Sequence, residues 1–236
     1  MIRIQKYLSD QGICSRREAE DFIKRGLVTV NGVIVEAMGT KIDPDKDTVS
    51  ILPRAVAALE KKMSIIVNKP HNIASSRAKD EGTTIYDLLP QFRELDIVGR
   101  LDKSSEGLLL LSNDGVLARA ITGSHHSVEK EYIVRVREII NRPKLKAIEP
   151  GIVLGDGPTL PVKVESIDKH SFSIILKEGR KHQIRRMCEY LHLTVVTLKR
   201  VRIGAVTILG LKSGEFRVLT AAEVAQFKER QPQQPT

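Results

Sequence analysis

The residues best suited to chemistry sit in one short stretch, Gly99-Arg100-Leu101-Asp102-Lys103-Ser104-Ser105-Glu106-Gly107. Two apolar runs, 97–99 and 108–112, bracket it and read as strands. A connector this short that carries Arg, Asp, Lys and Glu is poor core material. Two readings are open. In one, the stretch is a capped turn whose Asp102 accepts backbone amides and pairs with Arg100. In the other, Asp102 lies beside an arginine in a cleft and is kept ionised as a nucleophile or general base.

Other reactive side chains offer less. Two cysteines, Cys14 and Cys188, make no disulfide framework and fit a reducing, cytoplasmic setting. His182 and Cys188 are six apart on an expected helix, and His125-His126 lacks ligands at zinc spacing, so no metal site is expected. Cys188 reads as a small core side chain, and the two histidines as exposed loop residues. Gly155-Asp156-Gly157-Pro158 reads as a tight turn. No glycine-rich cofactor loop follows an expected strand, which argues against a methyltransferase.

The 236 residues include 38 Lys plus Arg and 29 Asp plus Glu, a net charge of +9 that favours an anionic partner. Residues 177–202 hold eight basic and two acidic side chains, +6 of that total, whereas residues 1–60 hold nine of each. Only nine aromatics are present, too few for a protein that grips single strands mainly by stacking. No run of about 18 apolar residues exists, so no membrane span is expected.

These residues must be held by elements, and the chain divides into two sets. In residues 1–52, Ile4, Tyr7 and Leu8 form a helical stripe ended by Gly12. Ser15 and Glu18 form a capping box for a helix that stops at Gly26. Strands at 27–30 and 33–35 flank Asn31-Gly32, a hairpin signal, and 48–52 offers a third. Residues 53–62 read as a linker. Beyond them, strands at 65–68, 97–99, 108–112, 132–136, 162–167, 172–176, 194–201, 205–209 and 216–219 outnumber helices at 83–89, 115–121, 143–148, 181–191 and 221–228. Irregular alternation predicts α+β with a mixed or antiparallel sheet over 63–230. Residues 231–236 read as a disordered tail.

Ile4-Gln5-Lys6-Tyr7-Leu8, Cys14-Ser15-Arg16-Arg17-Glu18-Ala19 and Gly26-Leu27-Val28-Thr29-Val30-Asn31-Gly32 together resemble the RNA-binding module first known from ribosomal protein S-four. The resemblance implies contact with structured RNA through the helix bearing Arg16 and Arg17, with Lys24 and Arg25 two turns on. Gly99-Arg100-Leu101-Asp102 with Ser105-Glu106-Gly107 and the run to Gly115 resembles the catalytic motif of RsuA-type ribosomal RNA pseudouridine synthases. Lys130-Glu131-Tyr132-Ile133-Val134 and Glu178-Gly179-Arg180-Lys181-His182-Gln183-Ile184-Arg185-Arg186-Met187 resemble that family's motifs for a tyrosine and a basic partner. Ser105 and Ser112 stand where relatives often have Thr.

The resemblance implies isomerisation of uridine to pseudouridine with no cofactor and no metal. Asp102 is then the essential carboxylate, Arg185 its salt-bridge partner, and Tyr132 the ring stacked on a flipped uracil. Spacing alone would make Tyr132 a packed strand residue. Arg100 would brace the loop or meet a phosphate, and Leu101 would wall the pocket. Lys181, His182, Arg185, Arg186, Lys199, Arg200 and Arg202 would line the RNA channel. The expected partner is ribosomal RNA, as a structured stem-loop or assembly intermediate, bound by a monomer. Stretches around Cys14 and Arg185 look closest to the large-subunit branch, with small-subunit or transfer RNA as alternatives. A non-catalytic ribosome-assembly factor is the rival of another class, but a pure binder has no need of a carboxylate facing RNA.

Overall fold

A computed structural model of the chain describes residues 1–123 and 128–229. The expectations for His125, His126 and residues 231–236 fall outside the described residues.

The N-terminal part folds on local signals. Helices α1 (Ile4–Asp10) and α2 (Arg16–Lys24) bury Ile4, Leu8, Ala19, Phe22 and Ile23 against each other. The capping box is present: Ser15 Oγ accepts the Glu18 amide at 3.2 Å, and a Glu18 carboxylate oxygen accepts the Ser15 amide at 2.7 Å. Strands β1 (Val28–Val30) and β2 (Val33–Ile34) turn through Asn31 and Gly32, both at positive φ (51° and 80°), as a tight hairpin demands. Strand β3 (Val49–Ile51) pairs on the other edge of β1. A pairing of Ile2–Arg3 with Lys41–Ile42, absent from the sequence expectation, ties α1 to this module.

The segment 53–62, expected as a linker, is largely helical. It forms helix α3 (Pro53–Glu60), because Pro at the first helical position fixes a helical φ and the alanines that follow are strong helix formers. Ala55 is fully buried in the N-terminal core.

The larger part is a mixed sheet with helices. Its strands are β4 (Ser64–Lys69), β5 (Asp96–Val98), β6 (Glu106–Ser112), β7 (Lys130–Val136), β8 (Lys163–Ser166), β9 (Ser171–Leu176), β10 (Val195–Ile203) and β11 (Phe216–Val218). They run in the order β8-β9-β7-β10-β6-β4-β11, with β5 added on β6 and Val206–Thr207 on β10. Only β10 and β6 are parallel; the other pairs are antiparallel, in agreement with the α+β expectation. Helices α4 (Gly115–Thr122), α5 (Gln183–Tyr190) and α6 (Ala221–Glu229) cover it. Gly155 and Asp156 turn a short hairpin between Val153–Leu154 and Gly157–Pro158. No described helix is long and apolar enough to cross a membrane.

One irregularity of the sheet positions the site. Strand β6 pairs with β10 at its start, through Glu106 and Gly107, and with β5 at its end, through Leu110 to Ser112. Residues 99–105 therefore emerge from a fork between β5 and β10. The Arg200 side chain, 2% exposed, fills the fork and donates to Leu108 O at 2.7 Å and Gly99 O at 2.8 Å. Gly107 is at φ +101°, and a Cβ there would overlap the Arg200 backbone. The close approach of β6 and β10 requires glycine at that point.

The two parts touch through polar contacts. Arg119 on α4 donates to Ser9 O (2.9 Å), Ser9 Oγ (2.8 Å) and Asp10 (3.0 Å). Lys62 bridges Glu18 (3.1 Å) and the buried Asp114 (3.2 Å).

Candidate active site

The loop carrying Asp102 is pinned from below. Lys69, with no exposed surface, donates to the carbonyls of Ile73 (2.7 Å), Pro70 (3.0 Å) and Lys103 (3.4 Å). The Ser105 amide closes a turn on Asp102 O at 3.0 Å. Leu101 is buried, and its amide reaches Ser75 Oγ at 3.3 Å. Such a turn leaves the Asp102 carboxylate free, and it is 38% exposed. Among the described residues no backbone amide caps it and Arg100 does not pair with it, so the capped-turn reading fails.

His182 meets Asp102, with Nε2 at 3.4 Å from Oδ1. His182 stands at the head of α5 in the left-handed region, φ 53°, which costs a non-glycine residue backbone energy. Gln183 holds this bend: its Nε2 donates to Glu178 at 2.7 Å, and its Oε1 accepts the Arg180 amide at 3.2 Å. The strained residue is the one that meets the carboxylate.

Asp102 opens into a cleft of about 1150 Å³ shared with Leu101, Tyr132, Leu176, His182 and Ile184. Tyr132 lies on β7, opposite Ile174 and Arg200, half-buried between two of the molecule's apolar cores. A carboxylate, a ring and apolar walls thus share one cavity.

Several expected site residues are placed differently. Arg185 does not bridge to Asp102. Its Nη2 donates to Ser104 O (3.1 Å) and Ser104 Oγ (3.0 Å), so it braces the loop two residues beyond the carboxylate. Arg200, expected in the RNA channel, borders the cleft but is 2% exposed, with its guanidinium bonded to the Leu108 and Gly99 carbonyls. Arg202 is engaged by Glu131 (2.7 Å) and Glu129 (3.4 Å), and Arg186 by both oxygens of Asp156 (2.7 and 3.1 Å). Lys181 and His182 are exposed on the cleft wall, and Lys199 is half-buried.

Arg16 and Arg17 are exposed and line a second groove of about 1190 Å³ between the two parts of the molecule. Ser75 and Arg100 line both cavities, so groove and cleft adjoin. Lys24 and Arg25 lie at the far end of α2, outside the groove, and Arg25 pairs with Asp21 at 2.9 Å. Cys188 is a core side chain, and burial pushes its thiol up to about 12. Among the described residues no three His, Cys, Asp or Glu side chains gather as metal ligands.

Sequence reasoning missed Lys130 and Ser105, both buried and both lining the cleft. The signal was there for Lys130, which is two residues before Tyr132 on one strand and so shares its face.

A small N-terminal module thus stands beside a mixed sheet whose cleft holds a carboxylate and a ring, and comparison with known proteins says what class of protein this is. Residues 63–190 match the family model described as RNA pseudouridylate synthase and residues 2–47 that of the S4 domain, and the chain belongs to this synthase family. It is therefore an enzyme that isomerises uridine in RNA to pseudouridine. It is 36% identical to an uncharacterized RNA pseudouridine synthase of Aquifex aeolicus, over 96% of this chain and 93% of that one. It is 34% identical to the ribosomal large subunit pseudouridine synthase B of Bacillus subtilis, over 97% and 96%. With the dual-specificity RNA pseudouridine synthase RluF of Escherichia coli it shares 35% identity over 94% of this chain and 77% of the other. A solved structure, a pseudouridylate synthase, superposes with TM-score 0.70 at 30% identity, covering 96% of this chain and all of that one.

Proposed function

We propose that the enzyme isomerises a uridine of large-subunit ribosomal RNA, with Asp102 as the essential carboxylate. The observation that carries the assignment of Asp102 is its place in the cleft: held up by a pinned turn, uncapped, and sharing a partly apolar cavity with Tyr132. The large-subunit target follows the Bacillus subtilis relative, which matches over nearly the full length of both chains.

The reaction detaches uracil from its ribose, turns it, and rejoins it through C5. The base must leave its stack to reach a cleft of this kind. Asp102 then adds to the sugar or the ring, or removes a sugar proton. His182 holds its Oδ1 side. Arg185, through Ser104, is a positioning residue for the loop. Tyr132 stacks on the base, and its phenol stands near the rotated ring for proton removal. The RNA, a stem-loop or an assembly intermediate in the cytoplasm, runs along the groove lined by Arg16 and Arg17 into the cleft, bound by one copy of the chain.

The test is a map of pseudouridines in ribosomal RNA from cells with and without the gene. Loss of one large-subunit site is expected, and restoration requires Asp102. A lost site in small-subunit or transfer RNA would move the target, and an unchanged map would overturn the proposal.

A further inference from the structure

The protein buries two lysines around the site, Lys69 under the Asp102 loop and Lys130 on the cleft wall, and they differ in how their ammonium groups are used. Lys69 donates to three carbonyls, which saturates it. Lys130, 8% exposed, has one acceptor among the described residues, Val128 O at 3.1 Å. No carboxylate lies within ion-pair distance of it there, and its charged neighbour is another cation, Arg200. An ammonium that pays burial without a counter-charge is poor structural material. Burial, with the Arg200 charge adding to it, lowers Lys130 to about 8.

Its position gives the ammonium a use. Lys130 lines the same cleft as Asp102 and Tyr132 and shares the β7 face of Tyr132. Ser105 supplies an independent sign of a missing ligand. Its hydroxyl lies in a residue 1% exposed that lines this cleft, and it has no hydrogen-bond partner among the described residues. A charged donor with hydrogen-bonding capacity left over and an unpartnered hydroxyl thus belong to residues lining one cavity that a pyrimidine is expected to enter.

We infer that Lys130, on the cleft that Ser105 also lines, binds a carbonyl oxygen of the flipped uracil and stabilises the base as it detaches. This rests on the pseudouridine synthase reading of the site. When the C1′–N1 bond breaks, its electron pair stays with the base and spreads from N1 onto the carbonyl oxygens. The ribose side is compensated by Asp102, either through a bond to C1′ or by removal of the C2′ proton with formation of a C1′–C2′ double bond. Lys130 keeps its proton throughout and donates a charge-assisted hydrogen bond. Where that oxygen is O4, a donor-only ammonium also disfavours the amino group that cytosine carries there.

The experiment uses the full chain and a substrate RNA on which the unmodified enzyme forms pseudouridine. Failure of that control would count against the functional reading itself and not against Lys130. With the control in hand, Lys130→Met is expected to slow single-turnover conversion by about 100-fold, as loss of an oxyanion donor does. RNA Kd should stay within about twofold and Tm should be unchanged or higher, since a buried uncompensated charge is removed. Lys130→Arg should recover most of the rate. Replacing a uracil oxygen by sulfur at the target, O2 or O4 in turn, should slow the unmodified enzyme by about tenfold for one of them and leave Lys130→Met indifferent. Conversion by Lys130→Met within threefold of the parent would overturn the inference. So would a fall in Tm that accounts for the lost rate, or equal sensitivity of both proteins to both sulfur substitutions.

Discussion

Two regions promise contact with RNA, and they deliver their charge in opposite ways. The stretch 177–202 carries +6, yet most of its arginines are already engaged. Arg180 meets Glu178 and Asp156, Arg186 meets Asp156, Arg202 meets Glu129 and Glu131, Arg185 is bonded to Ser104, and Arg200 is buried. The first 60 residues are neutral in sum, yet Arg16 and Arg17 stand exposed at the mouth of a groove with no carboxylate partner among the described residues. Net charge along a sequence does not locate a binding face. The partners that cancel it are brought in from elsewhere, and the proposed RNA contacts fall to the residues left unpaired.

The largest effect should separate chemistry from binding altogether. Asp102→Asn is expected to lower pseudouridine formation by about 10³-fold or more while RNA affinity, read by filter binding, stays within about twofold. A variant that still isomerised uridine would remove Asp102 from its role. Next comes Arg200, which is buried under the catalytic loop despite its charge. Arg200→Met leaves Gly99 O and Leu108 O without donors and empties the fork under the catalytic loop. It should cost about 3 kcal/mol in denaturant unfolding. A stable variant with weakened RNA binding would return Arg200 to the ligand-facing set. A third effect tests the neutral module. Arg16→Ala with Arg17→Ala should weaken RNA binding by about tenfold and reduce its salt dependence by about two counterions. An unchanged salt slope would mean the groove is not the RNA path.

What was legible in the sequence was local. The Ser15–Glu18 capping box and the Asn31-Gly32 hairpin are decided within four residues, and both formed as expected. The loop around Asp102 could be singled out because charged residues between two apolar strands conflict with burial. Contacts set by strand pairing were not legible. Arg202 meets Glu131 because β10 lies antiparallel to β7, about seventy positions away in sequence. A register shift between Arg200 and Arg202 turns Arg200 and Ile203 both inward, which a strict two-residue alternation would not give. Arg185 reaches Ser104 across 81 residues, so its true acceptor could not be told from the neighbouring Asp102. The helix within 53–62 was hidden for another reason: Pro followed by alanines fits an irregular linker and a helix start equally well, and the burial of Ala55 is set by the rest of the fold.

The smallest expected effect is the sharpest test of the contrast between the two regions. Arg186 and Lys181 belong to one basic stretch and lie five residues apart, so a reading based on net charge treats them alike. The structure does not. Both terminal nitrogens of Arg186 are taken by Asp156, which raises the affinity of Arg186 for its proton and holds the Asp156 carboxyl below its usual range. A guanidinium so engaged must give up a bidentate partner before it can serve a phosphate, and the exchange gains little. Lys181 is exposed on the cleft wall with no ion-pair partner among the described residues. Arg186→Ala should therefore change RNA Kd by less than about twofold and leave the salt slope alone. Lys181→Ala should weaken binding by a few-fold and reduce the slope by about one counterion. Equal losses at the two positions would mean that bulk charge, and not the unpaired side chain, governs how this protein holds RNA.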